Sequence, residues 1–137
     1  MNVLEAETML TGAQVMAIVP TTDLERARPF YGEQPGLVEA NVPTPGPQLI
    51  YRCGGSTLLE VYERPTAGDA QHTLASWQVR DLKAAVGQLC DRGVRFEQYD
   101  LADVKTEDGI SATGRLREAW FRDPDGNILR IHSHAET

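Results

Sequence analysis

Apolar residues near the start of the chain fall into one short run and then one helically spaced set. Residues 14–19 are almost wholly apolar, which is typical of a strand covered on both faces. Thr22 and Glu25 form a capping box, which predicts a helix that begins behind them and ends by Gly32. Because Pro29 removes one hydrogen bond inside this helix, we expect a kink or a short final turn there.

Three more strands are predicted in the first half of the chain. They cover residues 37–40, 48–52 and 57–62. The last two are joined by the sequence CGGS, whose glycines permit the positive φ of a tight turn. With the first strand and helix, these strands make a βαβββ module over residues 13–63. An N-terminal extension, 1–12, precedes the module, and a polar linker, 64–71, follows it.

The same order of elements restarts in the second half, over residues 72–134. Apolar residues at helical spacing over 82–90, behind Asp81 as the N-cap, predict the second helix. Strands are predicted at residues 73–79, 94–96, 116–121 and 127–132. The polar segment 100–115 shows no periodicity, which predicts a long irregular loop able to act as a lid. The sequence DPDG at 123–126 predicts a turn and a structural role for its carboxylates.

Length and composition restrict the class of protein. A chain of 137 residues suits one structural domain that contains both modules. Its net charge of -7 leaves no basic excess to neutralise phosphates, so nucleic acid is not an expected partner. No run of about 18 apolar residues and no export signal occur, so we expect no membrane association and a cytoplasmic location. Cys53 and Cys90 match no zinc or redox spacing and are expected to be unpaired thiols.

Three motifs carry a resemblance to a known family. They are DLERARPFY from Asp23, DLKAAVGQLCDRGV from Asp81 and WFRDPDGNILRI from Trp120. In order and spacing they resemble the vicinal oxygen chelate superfamily, which includes glyoxalase I, extradiol dioxygenases and bleomycin-resistance proteins. The resemblance covers residues 13–132 and implies an α+β fold in which two βαβββ modules form a half-open mixed-sheet barrel. It also implies a homodimer with a metal ion or a small ligand inside the barrel.

The resemblance further implies four metal-ligand positions, one on the first and one on the last strand of each module. These positions fall here on Met16, Glu60, Leu74 and Arg130. Only Glu60 carries a group that readily ligates a divalent ion, since a thioether is a weak ligand, leucine offers none and arginine is permanently cationic. We therefore expect that the chain has lost the metal site and uses no cofactor.

Strand alternation predicts, without reference to any family, which side chains face the cavity between the modules. The residues that it places there are Met16, Ile18, Leu58, Glu60, Tyr62, Leu74, Ser76, Ile128, Arg130 and His132. Tyr51, Tyr99 and Phe121 are added as aromatic candidates for the wall, whereas Trp77 and Trp120 are predicted to face the helices. Because the repeat relates Glu60 to Arg130, we expect the two to form a partly buried ion pair that contacts a ligand.

Three classes of function are consistent with these features. The first is binding of a small organic ligand without a metal, as in bleomycin-resistance-type sequestering proteins, and an acidic pocket edge would suit a cationic ligand. The alternative is a lyase, isomerase or dioxygenase like the glyoxalases, dependent on a divalent ion held by ligands such as Glu60, His72 and His132. The third is a noncatalytic dimerisation or regulatory module. The absence of converging oxygen and nitrogen donors at the family's positions favours the first.

Overall fold

Two consecutive βαβββ modules, the second with one additional short strand, make up the computed structural model, which describes residues 9–42, 44, 46–67 and 71–134. A short 3₁₀ helix, Leu10–Gly12, precedes them. The first module contains β1 (Ala17–Thr21), α1 (Leu24–Glu33), β2 (Val38–Glu39), β3 (Gln48–Arg52) and β4 (Leu58–Glu63). The second contains β5 (Thr73–Gln78), α2 (Leu82–Asp91), β6 (Thr106–Glu107), β7 (Ile110–Thr113), β8 (Leu116–Arg122) and β9 (Ile128–His134).

Each module forms its own mixed sheet. The strand order is β1-β4-β3-β2 in the four-stranded sheet and β5-β9-β8-β7-β6 in the five-stranded sheet. β1 runs parallel to β4 and β5 runs parallel to β9, whereas the other neighbouring strands are antiparallel. The edge strands β1 and β5 contact each other, so the two sheets stand side by side. The predicted α+β fold of two βαβββ modules is confirmed.

One apolar core joins both modules on the side of the sheets that carries the helices. Phe121 of β8 lies near its centre, with its ring centroid 6.5 Å from that of Phe30 in α1 and 6.3 Å from that of Trp77 in β5. Because strand side chains alternate between faces, the residues between these core positions point away from the helices. Glu60 on β4 and Arg130 on β9 are examples, and we call the surface that they share the open face.

α1 begins one residue later than predicted. Asp23 is its N-cap, and the Asp23 carboxylate accepts hydrogen bonds from the backbone N–H groups of Glu25 (3.0 Å) and Arg26 (3.3 Å). The capping box predicted at Thr22 is wrong because the Thr22 hydroxyl donates instead to Asp125 of the second module (2.8 Å).

Within the described ranges, no helix is long and apolar enough to cross a membrane.

Two prolines are accommodated inside regular elements. α1 continues through Pro29 to Glu33, one residue beyond its predicted end, and forms no separate final turn. The first strand covers Ala17–Thr21 rather than residues 14–19, and it continues through Pro20. β1 pairs with a neighbour on one side only, and an edge strand tolerates the missing N–H of proline.

The segment predicted as an irregular lid, 100–115, contains two short strands of the second sheet. β6 and β7 form a hairpin inside it, and β7 pairs with β8. Ser111 is buried, and Ile110 packs against the core. These strands are too short to show alternation in the sequence, so the irregular structure predicted for the residues that they cover was wrong. A role of this segment as a lid stays a prediction. Conversely, the strand predicted at 94–96 is reduced to one isolated bridge between Phe96 and β8.

The register of β8 reverses the predicted sides of Trp120 and Phe121. Phe121 lies opposite Leu129 of β9, and both are buried in the core. Trp120 lies opposite Arg130 and shares the open face with it. The prediction was wrong by one residue in the phase of the strand, and such an error moves every side chain to the other face. Trp77 does pack towards the helices, as predicted.

The turn between β8 and β9 ties the second module to the first. Asp123 is 6% exposed and accepts a hydrogen bond from the Tyr31 hydroxyl of α1 at 2.6 Å. Asp125 accepts hydrogen bonds from the Thr21 hydroxyl at 2.5 Å and from Arg26 Nη2 at 2.7 Å. The carboxylates therefore join the modules, which is the structural role predicted for this turn.

Candidate functional site

A polar network crosses three neighbouring strands on the open face of the second sheet. Arg130 of β9 forms an ion pair with Glu118 of β8, and its Nε donates a hydrogen bond to the Ser76 hydroxyl of β5 at 2.9 Å. Ser76 Oγ in turn lies 2.5 Å from Nδ1 of His132. The side chains of Arg130 and Glu118 are only 29% and 15% exposed. Each member of the network therefore has a partner within the sheet.

The surroundings of His132 in this network favour the neutral form of its imidazole. Burial, the Arg130 guanidinium and His134 together lower the pKa of His132 below its ordinary value, although Glu118 opposes them. A neutral imidazole offers one donor and one acceptor nitrogen, so it can accept a hydrogen bond from the Ser76 hydroxyl. Trp120 completes this region beside Tyr99, with ring centroids 5.7 Å apart.

The ion pair predicted between Glu60 and Arg130 is not formed. Glu60 of β4 accepts a hydrogen bond from Gln48 Nε2 of the adjacent strand at 2.6 Å. Arg130 is engaged by Glu118, which the sequence analysis did not consider. Side chains on neighbouring strands of one sheet meet more readily than side chains on different sheets. For this reason Glu60 pairs with Gln48 and Arg130 pairs with Glu118. A correct phase for β8 would have placed Glu118 beside Arg130.

The predicted site residues divide between the open face and the core. Residues at open-face register positions are Ile18, Leu58, Glu60, Tyr62, Ser76, Ile128, Arg130 and His132. Met16 precedes β1 and is half-buried, and Leu74 sits at an irregularity of β5 and packs against the core. Phe121 and Tyr51 lie inside the core and cannot form the wall predicted for them.

A cleft of about 1230 Å³ lies where the β3–β4 turn of the first module meets the second module. One wall is the β3–β4 turn, represented by Cys53, Gly54 and Thr57, and another is the continuous segment 76–83, which joins β5 to α2. The remaining wall comes from the ends of β7, β8 and β9. Among the residues predicted to contact a ligand, Ser76 alone lines this cleft.

Trp77 forms a fixed apolar part of the cleft. Its indole N–H donates to Cys53 Sγ at 3.3 Å, which connects the first module to the second. Its ring stacks on Phe121 at an interplanar angle of 26°, so it is held from the core side. The cleft escaped the sequence analysis because it arises where a turn of one module meets a strand end of the other, which no local pattern records.

The residues present do not fit the metal ion that the family resemblance implies. At the four implied positions, only Glu60 could ligate, and its carboxylate is engaged by Gln48. In the part of the chain that the structure describes, no group of three or more His, Cys, Asp or Glu side chains could hold a metal ion. The alternative set of Glu60, His72 and His132 is therefore not assembled.

Solved structures of other proteins share the fold of this chain. A glyoxalase family protein from Bacillus anthracis is 19% identical, with a TM-score of 0.69 over 89% of this chain and 96% of that one. A glyoxalase/bleomycin resistance protein from Streptomyces sp. CB03234 is 25% identical, with a TM-score of 0.61 over 87% of this chain and 98% of that one. The chain has the vicinal oxygen chelate fold.

A third structure with the vicinal oxygen chelate fold is TnmS3, an antibiotic binding protein from Streptomyces sp. CB03234. It is 23% identical, with a TM-score of 0.62 over 90% of this chain and 98% of that one. No protein-family model and no curated protein matches the sequence. The vicinal oxygen chelate fold is shared by binding proteins and enzymes, so function must be argued from the cleft and the open face.

Proposed function

We propose that the chain binds a small organic ligand, without a metal ion, in the cleft between the β3–β4 turn and segment 76–83. The observation that carries the proposal is the cleft itself. Its volume of about 1230 Å³ is sufficient for a small organic molecule, since sites for such ligands usually occupy roughly 300–1,000 Å³. Trp77 and Val79 supply apolar surface to its walls, so a ligand with an apolar body can be desolvated there.

Two further observations support binding over metal-dependent catalysis. The open-face carboxylates of Glu60 and Glu118 are each engaged by a side chain of their own sheet rather than converging on one point. TnmS3, which shares the fold, is an antibiotic binding protein. A ligand held in the cleft would contact Ser76 at its edge, and through Ser76 it would meet the polar network of the open face.

Filling the cleft tests the proposal. Gly54 lines the cleft, and a Cβ added there meets no atom within 4 Å, so Gly54→Phe extends into open space. Gly46 also has no atom within 4 Å of an added Cβ but does not line the cleft, so Gly46→Phe is the matched control. The neutral dye N-phenyl-1-naphthylamine, titrated with a metal chelator present, serves as the probe.

We expect the wild-type chain and Gly46→Phe to bind the dye with equal affinity. Gly54→Phe should weaken binding by about tenfold or more, because the phenyl ring occupies volume that the dye needs. Equal affinity of the two variants would contradict a site in the cleft. Loss of wild-type binding on addition of the chelator would contradict metal independence.

A further inference from the structure

The charged side chains of the cleft have the opposite balance to the whole chain. The chain carries 13 Lys and Arg against 20 Asp and Glu. Among the residues that the structure describes, the cleft is lined by Arg80, Lys83 and Arg117, with Asp81 as the one carboxylate. An excess of cations within an acidic protein does not follow from composition, so their convergence on one cleft calls for a specific explanation.

The three cations are not neutralised within the described residues. The ion pairs found there use Arg26, Arg28, Arg122 and Arg130, and none of these lines the cleft. The Asp81 carboxylate accepts the backbone N–H of Ala84 at 3.1 Å as the N-cap of α2. No carboxylate of the described ranges therefore pairs with Arg80, Lys83 or Arg117, and their charge can meet a bound group.

Arg117 is the most fixed of the three. It is half-buried, and its Nη1 donates to the backbone carbonyls of Gly114 at 2.7 Å and Leu116 at 3.2 Å. These bonds orient the guanidinium without cancelling its charge, because both acceptors are neutral. Its other N–H groups can donate to an anion, and charge-assisted hydrogen bonds of this kind are the stronger ones.

We infer that the ligand of the cleft is an organic anion, with a carboxylate, sulfonate or phosphate group on an apolar body. The inference rests on the proposed function and names the chemical class of its ligand. The anionic group would lie against Arg117, Arg80 and Lys83, and the apolar body against Trp77. This assignment reverses the cationic ligand expected from the sequence, because overall acidity does not describe the charge of the cleft.

Two dyes that share one skeleton isolate the effect of charge. N-phenyl-1-naphthylamine is neutral, and 8-anilinonaphthalene-1-sulfonate is the same molecule with an added sulfonate. We expect the wild-type chain to bind the sulfonate about tenfold more tightly at low salt, a difference of about 1.4 kcal/mol. The preference should shrink as salt is raised, since the Debye length falls to about 10 Å at 0.1 M.

Paired variants locate the charge responsible. Arg117→Gln and the double variant Arg80→Gln/Lys83→Gln should each lose most of the preference for the sulfonate while keeping the affinity for the neutral dye. Arg95→Gln and Arg95→Gln/Lys105→Gln are the controls, because these exposed residues do not line the cleft and remove the same charge. Near-ultraviolet circular dichroism verifies folding, since the sulfonate dye also binds loosened chains.

The outcomes separate the inference from the proposed function. If both dyes bind the wild type equally while Gly54→Phe still weakens them, the cleft binds ligands but its anion preference is wrong. If the Arg95 controls lose the preference as fully as the cleft variants, the effect belongs to net charge and the inference is overturned. If neither dye binds the wild type, the proposed function fails as well.

Discussion

The hydrogen bond between Tyr31 and Asp123 provides the sharpest test of how the two modules are held together. Tyr31 Oη donates to Asp123 Oδ2 at 2.6 Å, and both residues are buried. Burial, then the charge of Asp123 and this hydrogen bond, raise the pKa of Tyr31 well above its ordinary value. Tyr31 therefore stays protonated at neutral pH and can donate this hydrogen bond.

Tyr31→Phe removes this donor from a carboxylate that is 6% exposed. Asp123 keeps the backbone N–H groups of Asp125 and Asn127 and the Asn127 side-chain amide, each at 2.8 or 2.9 Å. A hydrogen bond to a charged group contributes about 1.5–3 kcal/mol, so we expect a loss of about 2 kcal/mol in the free energy of unfolding. Urea unfolding followed by circular dichroism measures this loss.

Tyr51→Phe is the matched comparison. Tyr51 is as buried as Tyr31, and their ring centroids are 5.7 Å apart. Burial, with a further contribution from Glu39 opposed by Arg28, raises the pKa of Tyr51 to about 12. Its hydroxyl has no hydrogen-bond partner among the described residues, so its removal should be neutral or stabilising by up to about 1 kcal/mol. Equal losses for the two variants would refute the reasoning.

Three other predictions concern ionisable groups. Burial tends to raise the pKa of Asp125, but hydrogen bonds from Thr21, Thr22 and Arg26 lower it overall. The stabilisation that Asp125 contributes should therefore be full above its unfolded pKa of about 3.9 and disappear as the pH falls through the lower folded value. Asp125→Asn should reduce the fall of the urea unfolding midpoint that accompanies acidification. Arg130→Met leaves the partly buried carboxylate of Glu118 unpaired and should cost about 1–3 kcal/mol by urea unfolding, and Glu118→Gln in the same chain should restore part of this loss. The folded pKa of His132 lies below 6.5, so the stability that it contributes falls as the pH drops from about 6.5 through the folded value, and a nuclear magnetic resonance titration of its ring should give a midpoint below 6.5.

Order and periodicity in the sequence were enough to predict the two modules. The helical spacing behind Asp81 and the turn at 123–126 both correspond to elements of the structure. These features depend on local backbone preferences and on one buried face, and a single chain segment records both. The repeat then placed the two segments in equivalent positions, from which the α+β fold followed.

The composition of the site could not be predicted in the same way. Which face of β8 carries Glu118 depends on its register with β9, and a one-residue error exchanged Trp120 for Phe121. The partner of Arg130 was missed for that reason. The cleft depends on the approach of Cys53 to Trp77 across the module boundary, a distance that neither segment encodes alone.

Energy transfer from Trp77 to a dye in the cleft tests the central claim most directly. Trp77 and Trp120 are the two tryptophans of the chain, so Trp120→Phe leaves Trp77 as the single indole donor. With a metal chelator present, N-phenyl-1-naphthylamine should quench Trp77 emission to saturation. The added substitution Gly54→Phe should suppress this quenching, and Gly46→Phe should not. Absence of saturable quenching, or equal quenching in both variants, would contradict metal-independent ligand binding in the cleft.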